Sequence, residues 1–244
     1  MTETAGRHTD PDSDAATRLP VVQLGRMPYP DAYQAQLLHH AEVLAGRDAE
    51  PPAAELGRLL IVEHDPVLTV SHRKTAPGHI VASRDRLTEL GVAVEPTDRG
   101  GDVTYHGPGQ LVVYPVVDLN RLKLRLHEYM RRLEGAVIDA LATFGVEGWR
   151  DSDATGVWLG EPPGSKVCAL GVRVKRWVSL HGLALNVAPD MSHFDLIVPC
   201  GLAGRQVTSL QQHLGPDNCP SFNDAASALV VSLRSQLLGL KAEG

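Results

Sequence analysis

Apolar positions along the chain follow two periods. VVQLG, RLLIVEH, PVLTV and GVAVEP are short runs bounded by Gly, Pro, Asp or Asn, and each predicts a strand. RLLIVEH and PVLTV flank a tight turn at Asp65 and Pro66. DAYQAQLLHHAEVLAG, residues 31–46, instead sets Ala35, Leu38 and Leu44 near one helical face, with Asp31 as the cap. SRDRLTELG, from Ser83, reads as a short capped helix ending at Gly91. The clearest helix is residues 126–145, where Leu126, Met130, Leu133, Val137, Leu141 and Phe144 recur at spacings of three and four. Two strand-like runs lie on either side of His106, Gly107, Pro108 and Gly109. ATGVWLG, SKVCALGVRV and WVSLHGLALNV predict at least three more strands, and residues 223–238 a closing helix.

Helices and strands are interspersed, but the later half holds consecutive strands. That order predicts an α+β fold, a mixed or antiparallel sheet packed with helices, rather than a doubly wound α/β one. Neither an internal repeat nor a linker interrupts the chain, so a single domain is expected from Leu19 to residue 244. Residues 1–18, rich in Thr, Asp and Ala, read as a disordered tail.

Charge and cysteine usage narrow the function. The net charge of −6 argues against sequence-independent nucleic-acid binding, which needs a basic face. Three cysteines, with no CxxC pair, argue against a disulfide framework and for a reducing, cytoplasmic setting. No apolar run reaches the roughly 18 residues of a membrane span, and the N-terminus lacks the apolar core of a signal peptide. No histidine pair has HExxH spacing, and no metal is expected.

Three stretches could carry chemistry. RGGDVTYHGPGQ, residues 99–110, holds four glycines in twelve residues, which permits close approach of a ligand to backbone; the bland alternative is a glycine-rich hairpin. It is neither GxGxxG nor GxxxxGK[ST], so no nucleotide fingerprint applies. In SKVCALGVRV, strand alternation puts Lys166, Cys168, Leu170, Val172 and Val174 on one face. A lysine there either snorkels to solvent or is held in a site. In IVPCGLAG, Cys200 sits at a bend between proline and glycine. It is either a small buried hydrophobe or a nucleophile beside free backbone N–H groups. A nucleophilic thiol needs a base, and His106, His181 and several lysines are available. Cys168 reads as packing and Cys219 as incidental.

The four stretches RGGDVTYHGPGQLVVYP, SKVCALGVRV, LHGLALNV and IVPCGL, in that order, closely resemble the octanoyl-[acyl-carrier-protein]:protein N-octanoyltransferases over residues 19–238. The resemblance implies the catalytic-domain fold shared with lipoate- and biotin-protein ligases. It implies transfer of an octanoyl group from octanoyl-acyl carrier protein to a lysine of lipoyl domains, those of 2-oxoacid dehydrogenase complexes and the glycine-cleavage H protein. By the same resemblance Cys200 is the acyl-accepting nucleophile and Lys166 the group that activates it. Arg99, Gly100, Gly101, Asp102, Val103, Thr104, Tyr105 and His106 would line the acyl site, with Ala169, Leu170 and Gly171 and with Gly182, Leu183 and Ala184. Neither ATP nor metal is implied, and the expected state is a monomer.

The chain departs from the family pattern in EHDPVLTVSHRKTAP, where Asp65 replaces a proline and Ser71 and His72 replace Gly-Arg. Cys168, expected on Lys166's face, would be a possible oxidation partner there. Arg73, Lys74, Arg173, Lys175 and Arg176 are candidates for a basic patch that meets an acidic carrier protein. Two rivals stand beside this reading: an ATP-dependent lipoate-protein ligase of the same fold, which would not need Cys200, and a non-catalytic lipoyl-domain or acyl-binding module.

Overall fold

The structure, a computed structural model, describes residues 11–198 and 206–240. In chain order its elements are α1 (Pro11–Arg18), β1 (Val21–Met27), α2 (Tyr29–Asp48), β2 (Gly57–His64), β3 (Val67–Ser71), α3 (Arg84–Glu89), β4 (Ala93–Thr97), β5 (Val103–His106) and β6 (Gln110–Val117). There follow α4 (Leu126–Ala142), β7 (Trp149–Arg150), β8 (Val157–Leu159), β9 (Ser165–Lys175), β10 (Val178–Asn186), a 3₁₀ turn (Met191–Leu196), β11 (Gln206–Val207), α5 (Leu210–Leu214) and α6 (Phe222–Leu238). The class is α+β with mixed pairing.

Seven strands form a sheet in the order β1-β2-β6-β10-β9-β8-β7, with β11 added to β9; β4-β3-β5 form a second, three-stranded sheet. Among the described strands, only β1–β2, β11–β9 and β3–β4 are parallel. β2 and β3 do not pair with each other. The Asp65–Pro66 connection carries the chain from the large sheet to the small one, and residues 107–109 carry it back. The two crossings lie side by side, since the Gly109 amide donates to Glu63 Oε1 at 2.6 Å.

β6 is buried along its whole length, which explains its nearly unbroken apolar run. Leu111 and Val113 face a core closed by α4 and α6, whereas Val112, Tyr114 and Val116 face one closed by α2. A third core lies under the small sheet around Leu68, Val103, Tyr105 and Leu196. In α4, Leu133, Val137 and Leu141 are buried as the spacing predicts, but Leu126 is half exposed.

Two expectations change. α1 forms within the stretch read as a tail, and its Ala15 is buried against the fold with Leu19. α2 begins at Tyr29 behind Pro28, so Asp31 lies in its first turn instead of capping it. Its buried stripe is Ala32, Gln36, His40 and Leu44, while Leu38 is exposed. Apolar spacing misplaced that face because its two middle positions are polar. Gln36 Oε1 accepts the His181 amide at 2.7 Å, and His40 Nε2 bonds Lys175 O at 3.0 Å.

Candidate active site

Two adjoining hollows lie at the seam between the sheets. The first, about 400 Å³, is lined from below by Val112 and Tyr114 of β6 and by Gly182, Leu183 and Ala184 of β10. Tyr29, His106, His181 and Gly171 complete it. The second, about 610 Å³, is lined by Lys166, Gly100, Gly101, Val103, Gln110, Asn186, Phe194, Ile197 and Val207. Arg99, Thr104, Ala169 and Leu170 line both, so the hollows share a wall.

Lys166 reaches this space because β9 carries a bulge. Val157 pairs with Cys168 but Trp158 pairs with Lys166, so Val167 has no opposite residue on β8. The extra residue reverses the alternation. Val167 and Cys168 both turn into the core closed by α4 and α6, and Lys166 turns to the other face, with Ala169. Plain alternation had put Lys166 and Cys168 together; the bulge separates them. Lys166 Nζ lies 4.8 Å from the centroid of the Trp158 ring and donates to Thr155 O at 2.8 Å. Cys168 is fully buried, and burial raises its thiol well above the usual range. It is neither exposed to oxidants nor on the lysine's face, so the oxidation-partner expectation falls.

The glycine-rich loop is tied to β9 by the Gly100 amide, which donates to Val172 O at 3.1 Å. Arg99 Nη2 donates to Thr69 O and Oγ1, each at 3.0 Å, and its Nη1 to Gly100 O. The approach needs glycine at 171, where a Cβ would lie 2.8 Å from Gly100 O and 3.1 Å from Arg99 Cδ.

Around the first hollow, polar side chains are buried in pairs. His64 Nε2 meets the Tyr114 hydroxyl at 2.7 Å, Tyr29 meets Thr97 at 2.7 Å, and His106 Nδ1 meets Gln110 Oε1 at 2.7 Å. Asp98 accepts from the Tyr33 hydroxyl at 2.6 Å, bonds His181 Nε2 at 2.7 Å and forms an ion pair with Arg173. The rings stack, Tyr33 on His181 at 5.4 Å and Tyr29 on His106 at 6.5 Å between centroids. Burial drives the imidazoles to their neutral forms. It lowers His64 to about 4 and His106 far below its usual value, and burial with Arg99 and Arg173 takes His181 to about 3. Burial likewise raises the Tyr114 phenol. The walls of this hollow are therefore neutral and mostly apolar apart from Arg99, which suits an uncharged chain.

Not every anticipated residue faces the hollows. The Asp102 carboxylate lies 3.7 Å from Arg73 and 3.5 Å from His79, beneath the small sheet. Tyr105 is fully buried in the third core, with its hydroxyl 2.7 Å from His193 Nδ1. His106 and His181, weighed as bases for a thiol, line the first hollow, whereas Lys166 lines the second. Of the divergent stretch, His72 and Lys74 are exposed. Cys200 lies outside the described residues, within 199–205. The described residues on either side of that segment are fixed. Ile197 bridges Ile80, the Val198 amide donates to His79 O at 2.7 Å, and β11 pairs Val207 with Lys166. Sequence reading missed Tyr29, Tyr114, His64, Asp98, Gln110 and Asn186. A signal existed for Tyr114 and His64, hydrogen-bonding rings inside or closing apolar strands. None existed for Asp98. Among the described residues no group of three His, Cys, Asp or Glu is arranged to hold a metal, and no helix is long and apolar enough to cross a membrane.

A catalytic-domain fold with an apolar hollow opening beside a lysine defines a class, and the chain's relatives agree with it. The lipoyl protein ligase A/B catalytic domain matches residues 32–234, and the chain belongs to that family. Within it, the chain belongs with the octanoyltransferases. It is 46% identical over 191 residues, 77% of this chain and 80% of the relative, to the octanoyltransferase of Solibacter usitatus. Among solved structures, the bipartite lipoate protein ligase of Thermoplasma acidophilum shares the fold at a TM-score of 0.64 and 16% identity, covering 93% of this chain and 86% of that one. The biotin protein ligase of Aquifex aeolicus shares it at 0.54 and 12%, covering 92% and 72%.

Proposed function

We propose that this acyltransferase moves an octanoyl group from octanoyl-acyl carrier protein to the target lysine of lipoyl domains, by way of a thioester on Cys200. The acceptors are the lipoyl domains of 2-oxoacid dehydrogenase complexes and the glycine-cleavage H protein. What supports the reading most is one arrangement. The bulge in β9 turns Lys166 into a hollow whose rim is formed by Ile197 and Val207, the residues closest to the Cys200 segment on either side that line it. The acyl chain runs from there past Ala169, Leu170 and Thr104 into the neutral first hollow.

Neutral Lys166 takes the Cys200 proton, and the thiolate attacks the thioester carbonyl of the carrier's pantetheine arm. The new C–S bond forms as the carbon–pantetheine bond breaks, and Lys166 returns the proton to the departing thiolate. The acceptor lysine enters neutral and attacks the acyl-enzyme. A C–N bond forms, the bond to Cys200 breaks, and the amine proton passes through Lys166 to the thiolate. Exchange of thioesters is nearly thermoneutral, whereas amide formation is downhill, so the cycle needs neither ATP nor metal. It proceeds in the cytoplasm, where the three cysteines stay reduced, and the working unit is a monomer.

Intact-protein mass spectrometry after incubation with octanoyl-carrier protein tests this. An octanoyl increment that disappears in Cys200→Ala is expected. Its absence from the native protein would leave only binding. Transfer to a lipoyl domain that strictly requires ATP and persists in Cys200→Ser would establish the ligase instead.

A further inference from the structure

Glu134 is out of place. It sits on α4 between Leu133 and the small residues Gly135 and Ala136, and is 1% exposed. A carboxylate so buried is costly unless fully partnered. Oε2 lies 2.8 Å from Arg131 Nη1 and 3.6 Å from Arg150 Nε. Oε1 accepts the Gly156 amide at 3.1 Å.

That amide belongs to the same peptide unit as the Thr155 carbonyl, which accepts Lys166 Nζ at 2.8 Å. In a trans peptide the N–H and C=O lie in one plane and point in opposite directions. Glu134 therefore holds one end of a rigid plate and Lys166 the other, and rotating the plate breaks both bonds. The carboxylate also polarises the peptide toward a more negative carbonyl oxygen. The flanking loop is pinned by Asp151 Oδ1, which accepts the amides of Asp153 at 2.7 Å and Ala154 at 3.0 Å, and by Trp158 Nε1 donating to Ala154 O. Gly156 is at φ +134°, and a Cβ there would lie 2.9 Å from Lys166 Cε and 2.7 Å from Cys168 O. The lysine stem runs through the space that only glycine leaves.

We propose that Glu134 is a positioning residue for acyl transfer. Acting through the Thr155–Gly156 peptide, it fixes Lys166 Nζ and favours its protonated state as Cys200 gives up its proton. The inference rests on the proposed role of Lys166.

The test is single-turnover acylation of the full chain by octanoyl-carrier protein, read by mass spectrometry, beside steady-state kcat and KM. Glu134→Ala should slow acylation on the order of 100-fold with KM for the carrier unchanged, because a misplaced catalytic group costs about that much. Glu134→Gln keeps an oxygen for the Gly156 amide and should recover most of the rate, although it loses charge toward both arginines. A merely structural glutamate predicts the reverse, with Gln nearly as impaired as Ala and acylation tracking stability. Gly156→Ala leaves Glu134 and its arginines in place and should also lose about 100-fold; it decides the matter if Glu134→Ala does not fold. Wild-type acylation by either variant, where Lys166→Ala is inactive, overturns the proposal and leaves the catalytic reading standing. Wild-type acylation by Lys166→Ala overturns that reading itself.

Discussion

The two faces of the large sheet obey different rules. The face under α4 and α6 is aliphatic, with Leu59, Ile61, Leu111, Val113, Leu183 and Leu185 meeting Leu133, Val137, Leu229 and Leu233. The face under α2 is as well buried, yet near the small sheet it carries His64, Tyr114 and His181, which meet Tyr29, Tyr33 and Gln36 of α2 and His106 of β5. The first is held by apolar contact, which tolerates any side chain of suitable volume. The second is held by directed bonds, each of which leaves a costly orphan when one partner is lost. Aliphatic packing is concentrated on one side of the sheet and polar pairing on the other, and the bulge at Val167 turns Lys166 away from the aliphatic side.

The largest effect is expected where that lysine is removed. Lys166→Ala should lower the acylation rate on the order of 10²- to 10⁴-fold, the usual worth of a positioned acid–base group, with little change in the melting temperature. Leu133→Ala is the opposite case. Leu133 is fully buried in the aliphatic core, and truncation should cost about 2–5 kcal/mol by denaturant titration, while the folded fraction forms acyl-enzyme at the normal rate. If the two variants instead affected stability and rate alike, the division between the faces would not hold.

These contrasts also explain what the sequence made legible. Strands buried on both faces, as in QLVVYPVV, announce themselves by a nearly unbroken apolar run, as does the α4 spacing. The α2 face did not, because Gln36 and His40 look like surface residues until their partners at His181 and Lys175 are known. Alternation along SKVCALGVRV assigned Lys166 to the wrong face, since a single unpaired residue reverses every position before it, and only the pairing with β8 reveals it. The partners of Asp98, namely Tyr33, Arg173 and His181, are distant in sequence and carry no local signal. Motif resemblance named the residues of the shared wall without indicating that the wall divides two hollows.

A smaller effect probes the first hollow as an acyl site. Val112 lies in its floor, paired with Ala184 across β10. Val112→Phe adds volume there and should move the preference from octanoyl toward shorter chains. One methylene in an apolar pocket is worth about 10- to 200-fold. The ratio of kcat/KM for hexanoyl- to octanoyl-carrier should therefore rise by roughly tenfold or more for each carbon displaced. An unchanged ratio would place the chain elsewhere.

The last effect is graded, and it separates the two faces by pH. The buried imidazoles are neutral in the fold, with His64 at about 4 and His181 at about 3 against an ordinary value of 6.5. Between those values the unfolded chain binds more protons than the folded one. The contribution of each histidine is thus complete above pH 6.5 and is lost as pH falls toward its folded value. For His64 the full loss is up to about 3 kcal/mol, at roughly 1.4 kcal/mol per unit. Urea midpoints measured from pH 7.5 down to pH 4.5 should fall steadily below pH 6.5, and His64→Gln should flatten part of that slope. Leu133→Ala should lower the whole curve without changing its shape, because the substitution leaves His64 and His181 in place. A parallel curve for His64→Gln would mean that its imidazole is not held neutral by the seam.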